Sequence, residues 1–230
     1  MPAPAELRAP PASQANPAPW RPLLAALLAV LAWDASGLDI ALAQWSASAT
    51  GFAWRNHPLL SDVLHNGARA VGWGVLLACS ALAVWPLGPL KTLSARERCG
   101  WVGSIWLALL AVVLLKNLSQ TSCPWDLEVF GGHAQHLSHW AWGRTDGGPG
   151  HCFPGGHAST GFAFVAGYFW LAPHHPALAR RWWWAAGVAG TVLGVAQQLR
   201  GAHFMSHTLW TAWLCWAVGR VCWRPWKISF

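Results

Sequence analysis

From Gly100 to Leu115 the chain carries no charged side chain, and the run stops at Lys116. A helix needs ~20 apolar residues to cross the hydrocarbon of a bilayer, and this run approaches that length. Similar runs recur at about 23–43, 68–90, 157–171, 182–199 and 204–221. In lipid every backbone polar group must be satisfied within the segment, so such runs are expected as helices. The expected fold is an all-α integral membrane protein. It is a bundle of six transmembrane helices with a polar outer loop, 116–152, between helices 3 and 4. Composition agrees, since 10% of residues are charged where a soluble domain carries about 25%. The 20 tryptophans against one tyrosine suit a membrane–water interface. Trp182-Trp183-Trp184, after Arg180-Arg181, is expected as an interfacial anchor. Asp34 and Asp39 fall within the first run and would be costly in lipid, so they are expected to face the bundle interior or water.

The formal charge is +7. In a soluble chain that would raise nucleic acid as a partner. Here the basic residues lie between apolar runs, so they mark topology instead. Arg8, Arg21, Lys91, Arg96, Arg98, Arg180, Arg181, Arg220, Arg224 and Lys227 fall on one side of a six-span layout. Arg55, Arg69, Lys116, Arg144 and Arg200 fall on the other. The positive-inside rule then puts both termini in the cytoplasm. The loops at 44–67 and 116–152 and the junction at 200–203 lie outside, in the periplasm if the membrane is a bacterial inner membrane. Residues 1–19, rich in Pro and Ala, read as a disordered cytoplasmic tail ahead of a membrane domain at 20–230. They do not read as a cleavable signal, because the apolar run comes later and continues to spanning length.

Three features meet on the outer face. Lys116 closes the third run. Pro154-Gly155-Gly156-His157 opens the fourth, where glycine allows close backbone approach and a helix start offers unpaired N–H groups. Taken alone, that stretch reads first as a Pro-Gly turn that starts a helix. His203 lies between the fifth and sixth runs. Bundles build sites from facing helices. A cation, free N–H groups and two histidines at one level suit a phosphate ester, whose transfer needs positioning and charge stabilisation.

These residues resemble the motifs of the type 2 phosphatidic acid phosphatase superfamily, which shares its core with vanadium haloperoxidases. That family's first motif is Lys, six residues, then Arg-Pro; here Lys116 is followed, after six residues, by Cys123-Pro124. The second is Pro-Ser-Gly-His, against Pro154-Gly155-Gly156-His157 here. The third is Ser-Arg, five residues, His, three residues, Asp; here Ala196-Gln197 is followed by His203 and then His207, with Gly201 in the frequent Gly position. Both family arginines, the serine and the orienting aspartate are therefore replaced. Arg200 lies three residues after Gln197, near the same helical face, and is a candidate phosphate fork. Arg144, from the loop, is a second.

The resemblance implies a membrane lipid phosphatase without metal or cofactor, acting on a lipid phosphate or diphosphate. Phosphatidic acid, undecaprenyl diphosphate and lipid A phosphates are candidates. It implies that His203 attacks phosphorus to form phosphohistidine, and that His157 protonates the leaving oxygen and then activates water. Lys116 and the N–H groups near Gly155 and Gly156 would hold phosphate oxygens, and His207 would orient the nucleophile. A lipid phosphotransferase using the same intermediate, or a non-catalytic lipid-phosphate-binding relative, remains open. Cys123 and Cys152 are the two cysteines placed outside, where thiols are oxidised, and a disulfide between them would pin the loop base. His133, His136 and His139 recur every three residues without zinc spacing, and are expected on a polar loop helix at the headgroup level.

Overall fold

The structure is a computed structural model that describes residues 20–48 and 50–223. The tail expected at 1–19 lies outside the described residues, as do Arg224 and Lys227. Helix forms over every one of the six apolar runs. α1 (Trp20–Ser36) and α2 (Leu38–Gln44) form a bent pair, turning by 72° at Gly37. Trp33 Nε1 donates to Asp39 Oδ1 across the bend at 2.7 Å. A two-residue hairpin follows, β1 (Ala47–Ser48) against antiparallel β2 (Gly51–Phe52). α3 (Ala68–Val84) does not begin where the apolar run begins. A nine-residue π-helical segment, Leu59–Gly67, runs straight into it, so the expected outer loop at 44–67 is helical in its second half. α4 (Ala95–Leu118) starts with a capping box: Ser94 Oγ accepts from Glu97 N–H, and Glu97 accepts from Ser94 N–H. Such a cap satisfies two orphan donors at a helix start.

Two helices, Leu59–Val84 and Ala95–Leu118, are long and apolar enough to cross a membrane, and the bent α1–α2 pair makes a third if it is one span. The fourth run is not one regular helix. It is α5 (Gly156–Phe162), a 3₁₀ turn (Ala163–Ala166) and α6 (Gly167–Leu171) in succession. α7 (Pro176–Leu199) and α8 (Met205–Trp223) complete the bundle; both dilute their apolar residues with Trp, Gly and polar side chains.

The α5–α6 rod is the centre of the core. Ala158, Phe162, Ala163, Ala166, Phe169 and Trp170 are all buried, packed with Leu76 of α3, Ile105, Ala108 and Val112 of α4, Ala186 of α7 and Cys215 of α8. Small residues allow this closeness, as is usual between membrane helices. A Cβ on Gly161 would sit 2.2 Å from the Gly190 nitrogen of α7, and one on Gly72 would sit 2.1 Å from Thr160 Cγ2. Trp182, expected as part of an anchor, instead turns inward: its Nε1 donates to the Phe164 carbonyl at 2.6 Å and its ring meets Trp101 edge-on. Trp184 stays 64% exposed.

The loop at 119–155 is folded on its own small core of Phe52, Leu127, Phe130, Ala134 and Phe204. Buried Asp146 ties it together by accepting from Ser122 N–H, Ser122 Oγ and Gly148 N–H. Residues 133–139 are not the helix expected from their spacing. Ala134 N–H and His133 N–H both turn to the Asp126 carbonyl, and His139 stacks on Phe153, near the far end of the loop, at 4.0 Å. Local tertiary bonds outcompete a short polar helix, which is marginal by itself. Asp34 in α1 anchors the loop to the bundle, as its Oδ2 accepts from Trp140 Nε1 at 3.1 Å and Trp210 Nε1 at 2.7 Å and meets His139 Nε2 at 3.2 Å. That contact meets the expectation that Asp34 faces inward.

Candidate active site

The loop base sets the distance between Lys116 and the start of α5. Past the end of α4, residues 119–121 pair with 151–152: His151 N–H donates to Ser119 O at 2.9 Å and Cys152 N–H to Thr121 O at 3.0 Å. The Cys123–Cys152 disulfide, expected from topology, closes this pairing with Cα atoms 5.1 Å apart. Lys116, in the last turn of α4, then lies over Gly156, where a Cβ would be 3.7 Å from Lys116 Cδ.

α8 fixes the other side. Gly155 N–H donates to the His207 carbonyl at 3.2 Å, and Thr211 Oγ1 donates to the same carbonyl at 2.7 Å. Gly155's N–H is thus engaged inside the protein, while Gly156 borders the cavity described next. His203 arrives by the tight turn after α7. Gly201 takes φ +74 there, and any Cβ would overlap the Phe52 ring at 2.3 Å; the left-handed region and the close approach both call for glycine. The turn is braced by Trp125 N–H on Gly201 O at 2.9 Å, with Arg55 over the Trp125 ring at 4.5 Å.

A cavity of about 530 Å³ opens between α3, α4, α5 and the α7–α8 turn. Lys116, Gly156, His157 and His203, far apart in sequence, all line it. So do Cys123 and Gln197, the positions at which the family pattern has arginine. The rest of its wall is largely apolar, with Trp73 and Leu76 from α3 and Trp106, Leu110 and Val113 from α4. One end of the cavity is therefore polar and the remainder suits hydrocarbon.

His203 is buried, 6% exposed. Its Nδ1 lies 3.3 Å from His207 Nδ1 and 3.5 Å from the Cys152 sulfur, so Nε2 is the ring nitrogen left for a ligand. Burial, and then the neighbouring His207, hold the His203 imidazole well below its ordinary range. It is neutral at neutral pH, the form that carries a lone pair. His157 Nε2 is buried and has no partner among the described residues. A buried polar atom without a partner is costly, and His157 lines the polar end of the cavity.

Besides Gly155, three expected residues stand off this wall. His207 does not line this cavity; it sits behind His203 and borders a second, smaller one of about 100 Å³ with Asp34, Asp39, His136, His139 and Asp146. Arg200 does not line it either. Its Nε donates to the Arg55 carbonyl at 2.9 Å and its Nη1 to Gln197 Oε1 at 3.2 Å, so the guanidinium braces the turn. Arg144 lies in the loop, outside the cavity wall, with its N–H on Ala141 O. Two residues of the wall were not singled out from the sequence: His65, in the π-helical segment, and Arg69, in the first turn of α3. The signal was present in Leu59, Leu60, Val63 and Leu64, whose helical spacing carries the α3 pattern back through the presumed loop.

Neither a curated protein nor a solved structure matches the chain. A family model, described as the PAP2 superfamily, matches residues 99–228. The match runs from α4 to the end of the bundle and takes in Lys116, His157 and His203. It covers more than half of the 230 residues, and the chain therefore belongs to the PAP2 superfamily, a family of phosphatases acting on phosphate esters.

Proposed function

We propose that the protein is a membrane lipid phosphatase that works through a phosphohistidine on His203. The observation that carries this reading is the two-part cavity. Lys116, Gly156, His157 and His203 gather at one end, and the apolar walls of α3 and α4 continue from it. A free phosphate ester has no use for those walls. A lipid phosphate has a headgroup for one part and a hydrocarbon tail for the other.

In this reading residues 20–230 form one membrane domain of six spans. Both termini lie in the cytoplasm of a bacterial cell and the cavity opens toward the periplasm. Lys116 and the N–H groups near Gly156 bind the phosphate oxygens. For Nε2 of His203 to present a lone pair, its Nδ1 carries the proton and donates it to His207 Nδ1, at 3.3 Å. Nε2 then attacks phosphorus, forming the N–P bond as the bond to the ester oxygen breaks. His157 gives its Nε2 proton to that oxygen. A water molecule next gives its proton back to His157 and attacks phosphorus, breaking the N–P bond and releasing phosphate. His207 orients His203 by accepting its Nδ1 proton, although it brings no negative charge.

The test is phosphate release by purified protein from a panel of lipid phosphates and diphosphates in mixed micelles. Release by wild type that His203→Ala abolishes supports the reading, as does acid-labile, base-stable phosphate trapped on the chain at short times. Binding of the lipid without release would assign a non-catalytic role. Phosphate appearing on an added acceptor lipid would assign transfer.

A further inference from the structure

Lys116 and Arg69 are the two Lys or Arg residues on the wall of the cavity that holds His157 and His203. The family's arginines are absent there, because Cys123 and Gln197 occupy their places and carry no charge. Cys123 is held in the disulfide and Gln197 Oε1 accepts from Arg200. Arg200 does not line this cavity, and its Nε and Nη1 donate to the Arg55 carbonyl and Gln197. The guanidinium of Arg69, by contrast, has no hydrogen-bond, ion-pair or ring partner among the described residues.

Helix packing sets its position. α3 and α5 touch where Gly72 meets Thr160, so closely that a Cβ on Gly72 would fall 2.1 Å from Thr160 Cγ2. One turn before that contact stands Arg69 on α3, and one turn before it on α5 stands His157, since three residues make nearly one turn. One turn further back, the π-helical segment lays His65 on His157, with ring centroids 3.7 Å apart and planes at 30°. π-helical segments are uncommon and concentrate at functional sites. Here the segment brings a ring to His157, and the first turn of α3 after it brings Arg69 to the same cavity, from a part of the chain that carries no family motif; the family match begins at residue 99.

We infer that Arg69 is a phosphate-binding residue, the guanidinium that replaces the lost motif arginines by approaching the phosphoryl oxygens from α3. This rests on the reading of the cavity as a phosphate-transfer site. A planar guanidinium offers paired N–H donors that match phosphate geometry, which an ammonium does not. With Lys116 on α4 and Arg69 on α3, two cations reach the same group from two helices.

The experiment uses the full chain purified in detergent, with two readouts: the Kd for inorganic phosphate by calorimetry, and kcat and KM for phosphate release from phosphatidic acid. Arg69→Gln is expected to weaken phosphate binding about tenfold and to lower kcat/KM by about a hundredfold, the range for losing one charge-stabilising donor. Arg69→Lys is expected to fall between, and added methylguanidinium to restore part of the activity of Arg69→Ala, which a purely structural residue would not allow. Arg181→Gln, in the first turns of α7, is the control expected to behave as wild type. Phosphate binding by Arg69→Gln within about twofold of wild type overturns the inference, as does a wild type that binds no phosphate. A wild type that binds phosphate but releases none from any lipid phosphate would sink the proposed function instead, and the Kd comparison would still decide on Arg69.

Discussion

His203, just before α8, and His207, in its first turn, face each other through their Nδ1 atoms at 3.3 Å. Two neutral imidazoles can share one proton this way, but neither supplies the charge of a carboxylate. His207→Asp is therefore expected to strengthen the nucleophile. Hydrogen bonds to charged groups contribute ~1.5–3 kcal/mol against ~1 for neutral ones, so a rise of about tenfold in the rate of phosphohistidine formation is the expected scale. The added negative charge would also raise the His203 pKa and move the acid limb of the pH–rate profile upward. An unchanged rate and profile would remove His207 from the mechanism.

The neutral state of His203 has a consequence for stability. Its folded pKa lies well below the value of 6.5 that it has when exposed. The unfolded chain therefore takes up this proton first as pH falls. The contribution is fully present above about pH 6.5 and is lost progressively as pH drops below it, by at most ~1.4 kcal/mol per pH unit. His203→Gln should flatten the dependence of Tm on pH below 6.5 in detergent. A wild-type Tm that does not fall faster than the variant's in that window refutes the expectation.

The disulfide touches His203, the proposed nucleophile, directly. The Cys152 sulfur lies 3.5 Å from His203 Nδ1 and 3.1 Å from the Ala202 carbonyl oxygen, and its partner Cys123 lines the main cavity. The two cysteines are 29 residues apart, a loop length for which a disulfide contributes ~3–4 kcal/mol. Cys123→Ser with Cys152→Ser is expected to lower Tm by several degrees and to reduce phosphate release with it. Mass spectrometry of membrane-purified protein provides the direct check: both thiols should resist alkylation until a reductant is added.

The Gly72–Thr160 contact should control activity from a distance. Gly72→Ala places its methyl group against Thr160 Cγ2, and overpacking of this kind costs ~1–3 kcal/mol. Forcing α3 from α5 would separate Arg69 and His65 from His157. The expected result is a lower Tm together with a drop of about tenfold in kcat/KM. Thr160→Ala removes Cγ2, so the double variant Gly72→Ala/Thr160→Ala should recover most of both losses. No recovery would mean that Gly72 matters for some other reason.

Much of the helical layout was legible from apolar runs alone, because period and length are local properties. Helix lies over all six runs, and the bend at Gly37 and the broken α5–α6 rod only modify it. The cysteine pair was legible too, since both residues flank the one long polar loop. The loop itself was not. The spacing of His133, His136 and His139 pointed to a helix, whereas the Asp126 carbonyl and the Asp34 carboxylate decide where those residues go. The π-helical segment was missed because a polar stretch with Asn66 and Gly67 reads as a loop, whereas in the fold it packs on α7 and stacks His65 on His157 of α5.

The sequence by itself determined which residues match the family motifs: Lys116, Gly156, His157 and His203 stand at spacings that a reader recognises without coordinates. Only the tertiary structure decided which of the available cations joins them. Arg200 is near in sequence to Gln197, yet it stays off the cavity wall, with Nε on the Arg55 carbonyl and Nη1 on Gln197. Arg69 is distant in sequence, yet it lines the cavity, because Gly72 has no side chain to keep α3 away from Thr160. Local spacing says what a helix face presents; how closely two helices approach depends on residues from both, and one chain segment cannot reveal that alone.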